Sequence, residues 1–163
     1  MDRINQDIKN NEFQQFYLLT GSEGYLKKQY KEKLAKALVD IEDNMNYYYV
    51  EGHNPNLSNI YETGETMPFF SEHRVLVLEN TGLLKKSADG VSEHFERFPD
   101  STVVIMVEDE VDGRNGLYKW FKKNGYVTEL TMPSEKMLIS WIKKLCSDED
   151  KNIEDQAVFY MIE

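Results

Sequence analysis

The stretch YLLTGSEGYLKK, residues 17–28, joins an apolar run to a helical pattern through a turn that contains two glycines. The run FYLLT, Phe16–Thr20, is short and mostly apolar, which predicts a buried strand. From residue 23 to residue 39, apolar residues recur at spacings of three and four, which is the period of an amphipathic helix. A strand that leads through a glycine turn into a helix is a unit of α/β folds, and such a turn is also where a phosphate-binding loop would lie.

Strand-like runs and helical patterns continue to alternate along the rest of the chain. Further strands are predicted at residues 45–52, 74–80, 101–109 and 126–130, and further helices at residues 56–63, 91–98, 115–124 and 134–145. Strands that alternate with helices predict right-handed βαβ units. The predicted fold class is therefore α/β, with a five-stranded, mostly parallel sheet and helices on both faces.

Residues 21–28, here called the glycine turn, follow the pattern of the Walker phosphate loop, GxxxxGK[ST], only in part. When the pattern starts at Gly21, it passes through Gly24 and places Lys27 at the lysine position. Leu26 then occupies the position of the second glycine, and Lys28 occupies that of the hydroxyl residue which would hold Mg²⁺. Since backbone N–H groups reach a phosphate closely only where glycine allows it, we predict a degenerate phosphate loop that acts as a structural turn. A P-loop NTPase or kinase-like enzyme that uses Lys27 is the alternative.

Metal and cofactor chemistry have little support in the sequence. Glu108, Asp109 and Glu110 follow a predicted buried strand, and we interpret them as a solvated strand end rather than as a metal cluster. Cys146 is the single cysteine, and none of the three histidines has a second ligand at helical spacing. The sequence therefore predicts no metal site and no bound cofactor.

The composition limits the classes of partner. The chain has 163 residues, of which 40% are hydrophobic and 29% charged, and its net charge is −10. A negative charge argues against a main DNA-binding role, because each neutralised phosphate needs a lysine or arginine. Two local groups of lysines leave direct DNA binding as a further alternative, although a solvated helix face is the simpler interpretation. They are Lys27, Lys28, Lys31 and Lys33, and Lys119, Lys122 and Lys123.

The apolar runs of the sequence also bear on the cellular location of the chain. None of them approaches the roughly 20 residues of a membrane span, and the start of the chain contains no apolar signal-peptide segment. We therefore expect a cytoplasmic protein without a membrane partner.

The stretch ETMPFFSEHRVLVLEN, residues 65–80, contains an unusual apolar cluster before a predicted strand. We call residues 67–70, which are Met67, Pro68, Phe69 and Phe70, the aromatic turn. Proline restricts the local backbone, so adjacent aromatic rings would lose less entropy on binding. The pair is suited to a pocket on a partner, and the alternative is that both rings fold back into the core of their own domain.

Several stretches together carry a resemblance to a known family. They are FYLLTGSEGYLKKQYKEKL, ETMPFFSEHRVLVLEN, and STVVIMVEDEVDGRNGLYKWFKKNGYVTEL followed by SEKMLISWIKKL. In this order they resemble the N-terminal part of the delta subunit of the bacterial DNA polymerase III clamp loader. The resemblance implies an AAA+ type fold with a P-loop-like core that does not hydrolyse ATP. It also implies that the chain binds and opens the sliding clamp, the beta subunit, through an adjacent apolar pair that falls on Phe69 and Phe70.

The same resemblance implies a domain organisation. Residues 1–145 would form the AAA+ type domain, and residues 146–163 a linker and the first part of a helical lid domain. Because the helical pattern that starts at residue 153 needs something to pack against, we expect a fragment of a longer protein. The missing C-terminal region would contact the other clamp-loader subunits of the polymerase III holoenzyme, and DNA would be contacted only indirectly or weakly.

Overall fold

The computed structural model describes residues 2–162, which form two compact units, one ending at Leu130 and the other beginning at Thr131. The first unit contains all the strands in the described residues. Its elements, in chain order, are α1 (Asp2–Asn10), β1 (Phe16–Thr20), α2 (Gly24–Leu38), β2 (Tyr47–Glu51), α3 (Leu57–Glu65), β3 (Arg74–Glu79), α4 (Val91–Phe95), β4 (Thr102–Glu108), α5 (Gly116–Asn124) and β5 (Tyr126–Glu129).

The five strands form one sheet in the order β2-β3-β4-β1-β5, and every neighbouring pair is parallel. Each predicted strand is present, with bounds within two residues of those expected. Strands β1 and β4 lie inside the sheet and are buried along their whole length, as continuous apolar runs in parallel sheets are. The predicted five-stranded sheet is therefore confirmed, and it is fully parallel.

Alternating side chains of the strands pack against helices on the two faces of the sheet. Phe16 and Leu18 of β1 belong to a core with residues of α3, α4 and α5. Tyr17 and Leu19 point to the opposite face, where the core includes residues of α1 and α2. Because successive side chains of a strand alternate, the single run FYLLT contributes to both cores.

Helix α1 was not predicted from the sequence. Its signal is weak because only Ile4 and Ile8, four residues apart, are apolar. Ile4 is nevertheless fully buried, and the hydroxyl of Tyr17 donates to the carboxylate of Asp7 at 2.8 Å. The Arg3 guanidinium also bonds Asp7, at 2.9 Å. These contacts attach α1 to the sheet.

The second unit consists of two further helices, α6 (Glu135–Asp148) and α7 (Asp155–Ile162), which contact each other. The Ser134 hydroxyl caps α6 by accepting from the Met137 backbone N–H at 3.4 Å. The predicted boundary after residue 145 differs from this division, because α6 continues to Asp148 and groups with α7 rather than with the sheet. Among residues 2–162, none of the helices combines the length and the apolar character needed to cross a bilayer.

Candidate functional site

The glycine turn and the aromatic turn lie at opposite edges of the same sheet. All strands of a parallel sheet begin at one edge and end at the other. The glycine turn follows the end of β1, so it lies at the carboxyl edge. The aromatic turn comes shortly before the start of β3, so it lies at the amino edge.

The start of the glycine turn is packed against the backbone that follows β5. Gly21 has φ +107°, and a Cβ at this position would lie 2.2 Å from the carbonyl oxygen of Leu130. The same carbonyl accepts the backbone N–H of Glu23 at 3.0 Å, and the N–H of Leu130 donates to the Thr20 carbonyl at 2.6 Å. Gly21 is therefore required for a close backbone approach within the protein. Several backbone N–H groups of the turn, including that of Glu23, already have carbonyl partners.

The side chains of the glycine turn also have partners within the fold. Leu26 is buried, and Lys28 is exposed to solvent. The Lys27 side chain is buried and forms an ion pair with Asp109, which follows β4. Gly24 begins α2, and a Cβ at this position would meet nothing within 4 Å. The ammonium group that would contact a phosphate in a Walker loop is thus already neutralised by a carboxylate of the same chain.

The acidic residues at the end of β4 are not all solvated, so one part of the sequence interpretation is wrong. Glu108 is buried and accepts hydrogen bonds from the N–H and hydroxyl of Thr81, at 2.9 and 2.5 Å. The reason is that the segment after β3 folds over the end of β4. Asp109 and Glu110 are exposed, and Glu110 pairs with Lys85. Within the described part of the chain, no group of three or more His, Cys, Asp or Glu residues could hold a metal ion.

The buried carboxyl group of Glu108 leads to a prediction about pH. Burial raises the pKa of Glu108, although hydrogen bonds from Thr81 and Gly82 oppose the shift. An acid with a raised pKa holds its proton more tightly in the folded state, so its contribution to stability falls as pH rises from the unfolded-state pKa to the folded-state pKa. We expect the free energy of unfolding of the native chain, minus that of Glu108→Gln, to fall as pH rises from about 4.3, the ordinary pKa of a glutamate, toward the raised folded-state pKa. Urea unfolding across this range measures the difference, and a difference that rises with pH would contradict the prediction.

The two lysine groups differ in their surroundings. Lys31 is buried and bonds Glu79 at 2.5 Å, and Lys27 is buried as well, so the first group is not a continuous solvated face. The lysines of the second group are exposed on α5, as expected for a solvated helix face. One of them, Lys122, lies over the ring of Tyr118 at 5.0 Å.

The aromatic turn presents its apolar side chains to solvent. Met67 is 64% exposed, Phe69 51% and Phe70 96%, whereas Pro68 is partly buried. The two rings contact each other edge to face, with centroids 4.5 Å apart. The alternative in which both rings pack into their own core therefore does not describe this fold.

Side chains from two strand starts hold the backbone of the aromatic turn. The side-chain amide of Asn46 accepts from the N–H of Phe69 and donates to its carbonyl, both at 2.7 Å. The Arg74 guanidinium donates to the carbonyl of Met67 at 3.1 Å. Asn46 was missed by sequence reasoning, because only the pairing of β2 with β3 brings it beside the turn. No spacing pattern in the sequence connects residue 46 with residue 69.

The sequence around both turns matches a known protein family. The family model described as DNA polymerase III, delta subunit, matches residues 17–131. The chain belongs to the DNA polymerase III delta subunit family. Both the glycine turn and the aromatic turn lie inside the matched residues. No curated protein sequence matches the chain.

Solved structures show how the fold of this delta-family chain relates to others. The Bacillus subtilis DNA clamp loader delta protein YqeN has a TM-score of 0.79 and 21% identity, over 99% of this chain and 51% of that one. A Thermotoga maritima DNA polymerase III gamma subunit-related protein has a TM-score of 0.52 and 9% identity, over 93% and 55%. A mutant of Thermotoga maritima RuvB has a TM-score of 0.55 and 18% identity, over 95% and 50%. The predicted AAA+ type fold is confirmed, and the chain spans about half the length of these proteins.

Proposed function

We propose that this delta-family chain binds a sliding clamp through the aromatic turn and helps to open it, without hydrolysing ATP itself. The observation that carries the proposal is the exposed pair Phe69 and Phe70, which a hydrogen-bonded turn presents at the amino edge of the sheet. The family supplies the class of partner, because delta subunits belong to the clamp loader of DNA polymerase III. The site would act in the cytoplasm, where replication takes place.

The two exposed rings can contribute a substantial part of the free energy of a specific contact. Burial of two phenylalanine side chains contributes roughly 3–6 kcal/mol before the costs of association are subtracted. The residues that flank them, Met67 and Pro68, would enlarge the apolar contact. If the open form of the clamp fits this surface better than the closed form, binding shifts the clamp toward opening by no more than the difference in affinity. The chain thus needs no chemical step of its own.

Other parts of the proposal concern the assembly. We propose that the second unit, α6 and α7, is the first part of a helical lid domain. Contacts with the other clamp-loader subunits would lie outside this chain. Contact with DNA would be indirect or weak, because the net charge is −10 and two of the candidate lysines are buried.

A direct titration tests the proposal. The chain is titrated into the cognate sliding clamp and the heat of binding is recorded, with a monomeric clamp variant used in parallel to separate binding from ring opening. We expect saturable binding to both forms. A clamp that gives no saturable signal with the folded chain would overturn the proposed function.

The enzyme alternative predicts a different result with nucleotide. We expect neither the native chain nor Lys27→Ala to bind ATP saturably in the presence of Mg²⁺, because Asp109 neutralises Lys27 and the Leu130 carbonyl occupies the space beside Gly21. Fluorescence of a labelled ATP analogue measures this. Saturable binding that Lys27→Ala abolishes would instead support the P-loop NTPase.

A further inference from the structure

The side chain of Asn46 makes a contact that resembles the pairing of two strands. A carboxamide has the same donor and acceptor as a peptide group, and Asn46 offers both to the backbone of Phe69. The side chain is directed to a turn that lies 23 residues further along the chain. Asn46 itself is only 4% exposed, so water cannot easily replace these two bonds.

The backbone of Asn46 is fixed by the sheet. Its carbonyl accepts the N–H of Val75 at 2.8 Å, directly before the parallel pairing of β2 with β3. The backbone N–H of Arg74 donates to the Ser101 carbonyl at 2.9 Å, while its guanidinium reaches Met67. The aromatic turn is therefore attached to the starts of both β2 and β3, which are parts of the rigid sheet.

The backbone of the turn needs such support at one residue. Phe70 has φ +49°, in the left-handed region that residues with a bulky side chain disfavour. The hydrogen bonds from Asn46 hold the residue immediately before it. In the same turn the ring of Phe70 lies against that of Phe69, and both rings are outside the core.

We infer that Asn46 is a positioning residue for partner binding: it holds Phe69 and Phe70 in their binding arrangement before the partner arrives. Ordering of side chains in advance lowers the entropic cost of association. This inference rests on the proposed function for its consequence in binding, but not for its effect on the free chain. Nothing in the family comparison identifies Asn46.

The isosteric variant Asn46→Asp tests the inference. The introduced carboxylate can still accept from the Phe69 N–H, but it cannot donate to the Phe69 carbonyl and repels it. Asn115→Asp is the matched control, because Asn115 is also buried and its amide donates to the carbonyls of Leu83 and Lys86, at 3.0 and 2.6 Å. Asn115 lies beyond the end of β4, at the other edge of the sheet. Both variants lose donor bonds from one buried amide to the backbone.

Two measurements separate positioning from stability. The first is the aromatic NMR spectrum of the free chain, in which an edge-to-face pair shifts the ring signals of Phe69 and Phe70 away from their values in an unstructured peptide. We expect Asn46→Asp to move these signals toward the unstructured values and Asn115→Asp to leave them unchanged. The second is affinity for the sliding clamp, which we expect to fall about tenfold in Asn46→Asp alone.

The outcomes distinguish the inference from the proposed function. Ring signals that stay unchanged in Asn46→Asp overturn the inference, and so does unaltered affinity for the clamp in that variant. Ring signals of the native chain that already match an unstructured peptide overturn it without any variant. If the signals change as expected but the native chain does not bind the clamp, the positioning of the rings is supported and the proposed function fails.

Discussion

Replacement of Phe69 and Phe70 together by alanine is expected to weaken binding of the sliding clamp by two to three orders of magnitude. The estimate follows from two aromatic anchors worth roughly 2 kcal/mol each at the centre of an interface. Phe70 is almost fully exposed and Phe69 is half exposed in the free chain, so their loss should lower the free energy of unfolding by only about 1 kcal/mol. Calorimetric titration of the clamp and thermal unfolding of the variant measure the two quantities.

Tyr25→Ala is the matched control for this double variant. Tyr25 is also an aromatic residue of the first unit and is 69% exposed, but it lies in the first turn of α2, at the carboxyl edge of the sheet. We expect Tyr25→Ala to bind the clamp as the native chain does. Equal loss of affinity in both variants would show that the aromatic turn is not the specific contact, and full affinity in the double variant would exclude it altogether.

Gly21→Ala is expected to destabilise the fold by about 3 kcal/mol or more. Two effects add at this position. The φ of +107° is unfavourable for alanine, and the new methyl group would lie 2.2 Å from the Leu130 carbonyl oxygen. The neighbouring atom belongs to the backbone, which is itself hydrogen-bonded to Thr20 and Glu23, so it cannot move aside cheaply. Urea unfolding followed by circular dichroism measures the loss.

Gly24→Ala provides the comparison within the same turn. A Cβ at Gly24 meets nothing within 4 Å, and the residue is the first of α2, where alanine is the better helix former. We expect this variant to be neutral or stabilised by less than about 1 kcal/mol. If both variants are equally stable, the close approach of Leu130 does not explain the glycine at position 21.

These outcomes bear on why the glycine turn resembles a phosphate loop. In a Walker loop the glycines serve the bound anion, whereas Gly21 serves a contact with the protein backbone. If Gly21→Ala is destabilised as expected, the likeness in sequence is explained by a strand-to-helix turn whose glycine serves packing. The Lys27–Asp109 ion pair is consistent with this interpretation, because the buried ammonium group is already paired with a carboxylate of the same chain.

The strands and most helices could be predicted because their signals are local. The run FYLLT and the β4 run TVVIMVE are apolar over their full length, and each helix of the sheet unit after α1 has apolar residues at helical spacing. Helix α1 lacked that signal, since its stability comes from contacts of Ile4 and Asp7 with distant residues. The burial of Glu108 could not be predicted for the same reason, because Thr81, which bonds its carboxylate, follows a different strand.

Only part of the candidate site could be predicted from the sequence. The positions of Phe69 and Phe70 before a strand could be read directly, but adjacent aromatics before a strand are compatible with a core as well as with a surface. In the structure, the turn that exposes the two rings is bonded to Asn46 and includes the left-handed backbone of Phe70. Neither feature could be predicted from local sequence spacing, because a single asparagine 23 residues before the turn forms no periodic pattern with it.

The placement of the two turns has a consequence for control. Strands of about five residues, roughly 17 Å long, separate the glycine turn from the aromatic turn. Strand β4, which lies between β1 and β3, is fully buried and hydrogen-bonded on both sides, so it offers no hinge. The aromatic pair is therefore a constitutive feature of the folded domain. If the pair binds a partner as proposed, the timing of that binding would be set by whatever covers the pair and then withdraws.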